Sequence, residues 1–307
     1  MPLVSVVIPA YNRESTLKRA VESVLRQTTR DIEVIVADDA SKDNTVAIAR
    51  ELARSDQRVR LIQGKSNRGA QAARNLGARN ARGDWLCFFD SDDWMLPTSI
   101  EMRLNLACNR GLKVVHSDAF VRRPNQESSL FGVPPLNGFI YEELLRAPGP
   151  TFPGMFMRTE AFHEMGGLDE DVIAYQEWDT AIRLAKRHAF GFVPEPTFVY
   201  DCTGNDTISK NLTRSAMGYE YVVNKHRSQI VWCLGPKAMS QHLATIAGFY
   251  SEAAASDQAA KAKLQSLLWW PSPRRVLAGG RRLVSLVQTR VPEPVVHPHA
   301  GWWHKAA

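Results

Sequence analysis

The fold of this chain is decided at residues 85–93, which read Trp85-Leu86-Cys87-Phe88-Phe89-Asp90-Ser91-Asp92-Asp93. The apolar run predicts a buried strand, so the three carboxylates are expected at its carboxyl end, where open α/β sheets bind ligands. Carboxylates this close repel one another, and a divalent cation or a hydroxyl-rich ligand would stabilise them; Mg²⁺ and Mn²⁺ prefer such oxygen ligands. An ordinary acidic turn is the alternative, because Asp and Ser are common in turns.

Around this stretch, strands and helices alternate, which predicts a mostly parallel sheet with helices on both faces. We expect Pro9 to end the first strand and Asp43 to cap the second helix. The predicted strands cover residues 3–8, 32–37, 59–62, 85–89 and 114–116, and the predicted helices cover residues 15–27, 44–53, 69–80 and 98–109.

The rest of the chain is less regular. Proline and glycine predict long loops at residues 122–138 and 144–154. Helices are expected at residues 178–188, 219–234 and 239–263. A basic, apolar stretch then carries Arg274, Arg275, Arg281, Arg282 and Arg290. Such a stretch either lies on a membrane surface or packs on the catalytic domain with its arginines in water.

The composition limits the class of protein. The chain has 307 residues, a net charge of +6 and 44% hydrophobic residues, which suits one large α/β domain with an appendage. The positive charge favours polyanionic partners, but no nucleic-acid motif is present and we expect no nucleic-acid partner. The four cysteines are widely spaced, and neither a secretion signal nor a membrane span is recognisable. We therefore predict a cytoplasmic protein.

Five segments in order resemble glycosyltransferase family 2. They are residues 4–12 (VSVVIPAYN), 36–41 (VADDAS), 67–77 (NRGAQAARNLG), 89–93 (FDSDD, with Pro97 beyond) and 176–179 (QEWD). The resemblance covers roughly residues 3–210. It implies the GT-A fold, a Rossmann-like α/β fold with a mostly parallel sheet. The predicted domains are a GT-A domain at 1–214, with a nucleotide-sugar half to about residue 120 and an acceptor half from 121, a helical extension at 215–291, and a disordered tail at 292–307.

The resemblance also implies residues that bind the nucleotide sugar. An aromatic face suits the base pocket, and a carboxylate can accept the ring N–H of uracil or guanine. Asp39 is therefore the predicted base-reading residue, while Asp38 is the alternative cap of the following turn. Arg74 is expected near the ribose or the diphosphate, and Asp90 at a ribose hydroxyl or a metal-bound water. The predicted donor-binding residues are Pro9, Ala10, Tyr11, Asp39, Arg74, Asp90 and Ser91.

Two further positions are predicted to carry the chemistry. By resemblance, Asp92 holds a divalent metal, Mn²⁺ or Mg²⁺, while Asp93 caps the following turn. Glu177 is the predicted general base and Asp179 is its rival. The commoner family form at this motif is Glu-Asp, so the neutral Gln176 followed by the longer Glu177 leaves the acceptor geometry open. His116 and Asp118 are interpreted as structural or acceptor-side residues.

The predicted function is inverting, metal-dependent transfer of a sugar from a nucleotide sugar, with UDP favoured, to a hydroxyl of a glycan or lipid-linked acceptor. The Q-x-x-R-W signature of processive synthases is absent, which favours a non-processive enzyme. By resemblance, the setting is bacterial surface-polysaccharide or cell-envelope assembly, with peripheral contact at the inner membrane face through the basic stretch. The alternatives are a non-catalytic nucleotide-sugar or glycan-binding protein and a sugar-nucleotide nucleotidyltransferase.

Overall fold

The computed structural model describes residues 3–203 and 211–271, which form two compact units. The first unit comprises residues 3–144, 149–172 and 176–203. The second comprises residues 145–148, 173–175 and 211–271. Within these ranges, all the strands belong to the first unit, and the helices from residue 212 onward belong to the second.

A mixed sheet forms the centre of the first unit. Its strands are β1 (Val4–Ala10), β2 (Ile32–Asp38), β3 (Val59–Gln63), β4 (Trp85–Phe88), β5 (Trp94–Met95), β6 (Val114–Arg122), β7 (Ser129–Leu130), β8 (Phe156–Arg158) and β9 (Phe190–Asp201). They lie in the order β3-β2-β1-β4-β8-β6-β9-β5, and β7 pairs with β6. The sheet is parallel from β3 to β4, and β8 is antiparallel to both of its neighbours, β4 and β6.

Helices connect these strands and cover the sheet. Up to residue 185 they are α1 (Leu17–Leu25), α2 (Thr45–Ser55), α3 (Ala70–Arg79), α4 (Ser99–Arg110), α5 (Tyr141–Arg146), α6 (Thr159–Glu164) and α7 (Gln176–Ala185). Helix α3 approaches β1 closely because of Gly77, where a Cβ atom would lie 2.3 Å from Cγ1 of Val7. The prediction that Asp43 is the N-cap of α2 is wrong, because Asn44 occupies that position; Oδ1 of Asp43, one residue earlier, nevertheless accepts the amide of Thr45 at 3.0 Å.

The prediction that Pro9 ends the first strand is wrong, because β1 continues to Ala10. The carbonyl of Val7 accepts the amide of Phe89 at 2.9 Å, so the backbone groups of Val7 point toward the β4 side of the sheet. Because these groups alternate sides along a strand, the backbone nitrogen of Pro9, two residues later, points to the same side. Strand β4 has already ended at Phe88, opposite Val7. The missing N–H of Pro9 therefore removes no hydrogen bond from the sheet, and the strand tolerates it.

The far half of the sheet differs more from the prediction. Strand β6 extends to Arg122, well beyond the predicted end at residue 116, and β9 was not predicted. Pro194 and Pro196 interrupt the β9 sequence, and proline normally marks a break because it cannot donate to the ladder. The structure accommodates Pro196 opposite Asp118, where the pairing of β6 with β9 is irregular.

The predicted loop after β6 contains the short strand β7 but is otherwise irregular. Asp118 on β6 holds the second half of this loop, because its Oδ1 accepts the amides of Gly132 and Val133 at 3.0 and 3.1 Å, together with the amide of Ala119 at 2.7 Å. The ring of His116 is buried and its Nε2 lies 2.8 Å from the carbonyl of Leu136. The structural interpretation of Asp118 and His116 is consistent with these contacts.

Arg103 on α4 is completely buried. Its guanidinium donates to the Oγ of Ser99 at 2.8 Å and to the carbonyl of Pro153 at 3.0 Å, and it lies 5.3 Å from the ring centre of Phe156. Within the described residues, no carboxylate pairs with it. Arg103 thus holds the loop before β8 through neutral acceptors.

Replacing Arg103 with methionine is expected to lower the free energy of unfolding by about 2–3 kcal/mol, because buried acceptors lose charge-assisted hydrogen bonds. Chemical denaturation followed by circular dichroism measures this change. Arg110→Met on the exposed end of the same helix is the matched control, expected within about 0.5 kcal/mol of wild type. Equal stabilities of the two variants would contradict the prediction.

The second unit is helical in its described residues. Its long helices are α8 (Leu212–Lys225), α9 (Arg227–Leu234), α10 (Pro236–Glu252) and α11 (Ser256–Trp269). Tyr175, Tyr219 and Phe249 pack ring against ring, with centroids 5.2–6.2 Å apart. Gly218 permits α8 to approach Ala174, because a Cβ atom there would lie 2.6 Å from the Cβ of Ala174.

Two helices of this unit are shorter than predicted. The expected helix 219–234 is divided between α8 and α9 at His226, and the expected helix 239–263 is divided between α10 and α11. Ala254 between the latter two has a φ of 56°, a left-handed conformation that alanine rarely adopts and that the sequence does not signal. The basic stretch from Arg274 and the predicted tail 292–307 lie outside the described residues.

Candidate active site

The ends of three parallel strands define the site. Strands β1, β2 and β4 are neighbours, so their carboxyl ends lie at one edge of the sheet. Tyr11 follows β1, Asp39 follows β2, and Asp90 follows β4 after one intervening residue. The amide of Asp39 donates to the carbonyl of Ala10 at 2.8 Å. Residues from three sequence motifs therefore gather where open sheets bind ligands.

Tyr11 and the residues before it line one side of this edge. Pro9 and Ala10 are buried in β1, whereas Tyr11 is 36% exposed, and so it is not a core aromatic residue. Next to it, Asn12 has a φ of 52° and its amide donates to Oγ of Ser41 at 3.0 Å. This contact ties the turn after β1 to the turn after β2.

Asp39 is buried and holds the loop before α3. Its carboxylate accepts the amide of Arg68 at 2.9 Å and the amide of Gly69 at 2.7 Å. Oδ2 accepts both amides, whereas Oδ1 accepts the amide of Arg68 and retains a second lone pair, which still allows the predicted contact with a base. The neighbouring Asp38 accepts the amide of Ser41 at 3.2 Å, which is the capping role expected for it.

The acidic turn after β4 concentrates negative charge. Burial raises the pKa of Asp92, and the nearby Asp90 and Asp201 raise it further against the lowering effect of Arg13. Burial also raises the pKa of Asp93 well above its usual range, with repulsion from Asp92 adding to it. The prediction that Asp93 caps the next turn is wrong, because its Oδ1 accepts the amide of Asp201, at the end of β9, at 2.9 Å.

A metal ion fits this turn in a specific way. Within residues 3–203 and 211–271, no group of three His, Cys, Asp or Glu side chains is arranged to hold a metal by itself. Asp92 is only partly buried, and its carboxyl is crowded by other carboxylates, which a cation would relieve. Mg²⁺ is commonly held by one or two carboxylates together with substrate phosphates. The donor set therefore suits a metal that arrives with a diphosphate.

Arg74 connects the acidic turn to the start of α7. The side chain is buried, and its Nη2 lies 2.7 Å from Oδ1 of Asp90. Its Nη1 donates to the side-chain oxygens of Gln71 and Gln176, each at 3.1 Å. The guanidinium also lies 4.4 Å from the ring centre of Phe152. Arg74 thus joins β4, α3, α7 and the loop before β8.

Glu177 has the properties of a base. It is partly exposed in the first turn of α7, and burial raises its pKa to about 7. Its own backbone amide and Arg74 act in the opposite direction, and Asp90 acts in the same direction as burial. A carboxylate with a pKa near neutrality can accept a proton at physiological pH and release it again.

Asp179 is less suited to this role. It is 1% exposed and lies 3.6 Å from Nη1 of Arg183, one turn later on α7. The adjacent Trp178 is fully buried and donates its indole N–H to the carbonyl of Leu144 at 2.6 Å. Both residues therefore anchor α7, and Glu177 is the acid of this motif that reaches the accessible side.

Sequence reasoning missed several residues of this region. Phe152 lies in a proline- and glycine-rich loop with no signal for its contact with Arg74. Arg19 ion-pairs with Asp201 at 2.9 Å, lies 4.7 Å from the ring centre of Trp94 and donates to the backbone carbonyl of Asp92. The apolar residues of β9, which ends at Asp201, could have revealed this strand, but Pro194 and Pro196 interrupt the pattern.

A strand edge that gathers an exposed tyrosine, an acidic turn and a buried arginine beside a partly buried glutamate is the arrangement of a GT-A fold. A family model described as glycosyl transferase family 2 matches residues 5–162. The chain belongs to this family, as its motifs predicted.

Curated relatives carry related descriptions. An uncharacterized glycosyltransferase of Haemophilus influenzae is 37% identical over 118 residues, which are 38% of this chain and 47% of that protein. Chondroitin synthase of Pasteurella multocida is 30% identical over 73% of this chain and 23% of its own length. The UDP-Glc:α-D-GlcNAc-diphosphoundecaprenol β-1,3-glucosyltransferase WfaP of Escherichia coli is 33% identical over 44% of this chain and 53% of that protein. The chain thus spans about half or less of these relatives.

Solved structures share the fold. TarS 1–349 of S. aureus in complex with UDP-GlcNAc has a TM-score of 0.60 at 14% identity, over 87% of this chain and 91% of that one. Mannosyltransferase PcManGT of Pyrobaculum calidifontis, in complex with GDP-Man and Mn²⁺, has a TM-score of 0.62 at 18% identity, over 99% and 84% of the two chains. The predicted GT-A fold is confirmed by these similarities.

Proposed function

We propose that this protein is a non-processive, inverting glycosyltransferase that moves a sugar from a nucleotide sugar to a hydroxyl of a glycan or lipid-linked acceptor. The observation that carries the proposal is the pair of contacts made by Arg74. This side chain joins Asp90, on the donor side, to Gln176, which precedes Glu177. These contacts support the proposal because they link the proposed donor-binding carboxylate to the residue directly before the proposed base, and a transfer reaction requires the two to be held in a fixed arrangement.

The donor would lie along the edge formed by β1, β2 and β4. Tyr11 offers a ring face for the base, and the remaining lone pair on Oδ1 of Asp39 would accept its ring N–H. Pro9 and Ala10 form the floor beneath it, while Asp90 and Ser91 lie toward the ribose. The relatives described with UDP-Glc and UDP-GlcNAc support UDP as the nucleotide, although a GDP-mannose enzyme shares the fold.

Asp92 would hold a Mn²⁺ or Mg²⁺ ion, which when bound supplies positive charge against the leaving diphosphate. The Mn²⁺ in the structural neighbour PcManGT supports a divalent metal in this fold. Asp90 and Arg74 orient the donor, and the buried Arg74 also balances the charge of Asp90. The protein would contribute one or two carboxylates, with the remaining positions left to phosphate and water.

Glu177 would remove the proton from the acceptor hydroxyl as its oxygen attacks the anomeric carbon. The bond from that carbon to the diphosphate oxygen breaks as the new glycosidic bond forms, so one displacement inverts the anomeric configuration. One base is sufficient for this reaction, and a pKa of about 7 suits it. Asp179 would keep α7 in place through Arg183.

The setting we propose is assembly of a bacterial surface polysaccharide at the cytoplasmic membrane face. The diphosphoundecaprenol acceptor of WfaP supports a lipid-linked acceptor. No helix within the described ranges is both long and apolar enough to cross a bilayer. Contact with the membrane would instead be peripheral, through the arginines of residues 274–290, which the sequence places after the last described helix.

The test is turnover of a panel of UDP-, GDP- and dTDP-sugars with Mn²⁺, with and without EDTA. We expect one donor to be turned over, with activity falling at least about 100-fold in EDTA and recovering with excess Mn²⁺. Proton NMR of the product would show the inverted anomeric configuration. Mg²⁺ in place of Mn²⁺ separates a general divalent requirement from a manganese requirement.

Nucleotide binding without turnover on any donor, in the presence of lipid-diphosphate and glycan acceptors, would favour a binding protein over an enzyme. Retained configuration in the product would contradict the single displacement. A folded sample that binds no nucleotide at all would contradict the proposal entirely.

A further inference from the structure

The guanidinium of Arg74 is shared among groups of different charge. Asp90 is the anion among its hydrogen-bond partners, at 2.7 Å. Gln71 and Gln176 are neutral, and both accept from Nη1 at 3.1 Å. Phe152 lies against the guanidinium face at 4.4 Å. The positive charge is thus compensated on the donor side, and the contact to α7 carries no charge of its own.

The orientation of the Gln176 amide follows from its two contacts. Its nitrogen donates to the carbonyl of Val172 at 3.0 Å, and its oxygen accepts from Arg74 at 3.1 Å. The reverse orientation would place donor against donor and acceptor against acceptor. Gln176 is buried and is the first residue of α7, so its amide fixes where the helix begins and therefore where Glu177 lies.

We propose that Gln176 is a positioning residue whose neutral amide links Arg74 to the start of α7 while leaving the guanidinium charge to Asp90 and the donor. The inference rests on the proposed function, in which Asp90 binds the donor and Glu177 is the base. It also explains the departure from the Glu-Asp form of this motif, because a carboxylate at position 176 would draw Arg74 away from Asp90.

The charges that face Glu177 agree with this arrangement. Burial raises the pKa of Glu177, Arg74 lowers it and Asp90 raises it. A second carboxylate at position 176 would raise the pKa of Glu177 in two ways. It would neutralise part of the Arg74 charge, and it would add a like charge beside Glu177. A neutral residue there keeps the base in its useful range.

The chain offers a matched control in Gln71. It accepts from the same Nη1 atom at the same 3.1 Å, but it lies on α3 and not beside Glu177. Gln71→Glu and Gln176→Glu therefore present the same new charge to Arg74 from two different elements. The two variants separate an effect on Arg74 from an effect on the base.

The experiment is a ¹³C NMR titration of glutamate carboxyl carbons in wild type, Q176E and Q71E, with Glu177→Gln in each background to identify the signal. We expect Q176E to raise the pKa of Glu177 by about one unit, and Q71E to raise it by clearly less, because the charge at position 71 acts on Glu177 only through Arg74. The donor KM is expected to rise roughly tenfold in both variants, because each new carboxylate competes with Asp90 for Arg74.

An unshifted Glu177 signal in folded Q176E overturns the inference. Equal shifts in Q176E and Q71E overturn it as well, because the effect would then come from Arg74 alone. The titration needs no turnover. Absence of turnover would therefore refute the proposed function, while the role of Gln176 would still be decided by the pKa of Glu177. If Q176E does not fold, the uncharged Gln176→Met replaces it: about tenfold lower kcat is expected, and unchanged kcat overturns the inference.

Discussion

Replacing Glu177 with glutamine is expected to lower kcat by about 10²–10⁴-fold, because the amide cannot accept the proton of the acceptor hydroxyl. The change keeps the shape of the side chain, and donor binding should persist, since the proposed donor-binding residues Asp39, Asp90 and Arg74 lie on other elements. Single-turnover assays measure the chemical step, and calorimetry with the nucleotide measures binding. A fall in kcat with an unchanged nucleotide Kd is the expected pair of results.

The pH dependence of the same reaction gives a second measurement of this base. Only the ionised form of Glu177 accepts a proton, and burial raises its pKa to about 7. Activity in wild type should therefore rise with pH through about 7 and level off above it, and Glu177→Gln should lose this limb. The expected limb lies well above the range of an ordinary exposed glutamate.

Asp179→Asn is the matched control for that experiment. Asp179 is buried against Arg183, so its loss should lower the melting temperature while kcat stays within a few-fold of wild type. If Asp179→Asn removed turnover in a folded protein and Glu177→Gln did not, the rival would be the base. The two variants thus decide between the acids of one helix.

The parallel half of the sheet could be predicted from the sequence because each of its strands is a short apolar run between punctuating residues. Four such runs and the helices between them admit few topologies. The far half could not be predicted in this way. Strand β8 has three residues, and β9 contains prolines that the irregular pairing with Asp118 accommodates. Such tolerance depends on a partner strand that is distant in sequence.

The site shows the same division between local and distant information. The strand-end positions of Tyr11, Asp39 and Asp90 follow from motifs, because a residue after a parallel strand lies at the ligand edge. The network around Arg74 does not follow, because Gln176 is 102 residues away in sequence. The motif predicted Arg74 near the ribose or the diphosphate, but it gave no signal that the side chain is buried among Asp90, two glutamines and Phe152.

Asp92→Asn is expected to lower metal-dependent turnover by about 10³-fold or more, because charge stabilisation by a bound metal is worth several kcal/mol in the transition state. Turnover against Mn²⁺ concentration measures the loss. Asp84→Asn is the matched control, since Asp84 precedes β4 at its other end and is exposed. Asp84→Asn makes the same change of charge beside the opposite end of β4 and should leave turnover unchanged.

The stability of Asp92→Asn should change in the opposite direction from its activity. Burial, Asp90 and Asp201 raise the pKa of Asp92 in the folded protein, so the ionised carboxyl destabilises the fold above the pKa of the unfolded chain. Without metal at pH 8, Asp92→Asn should therefore melt a few degrees higher than wild type. Adding Mn²⁺ with the nucleotide should raise the melting temperature of wild type more than that of the variant.

Equal responses of the two proteins to Mn²⁺ would mean that the metal binds elsewhere. A lower melting temperature of metal-free Asp92→Asn would mean that the carboxylate is satisfied within the protein. Either result would contradict the assignment of Asp92 as the residue whose repulsive charge the metal relieves.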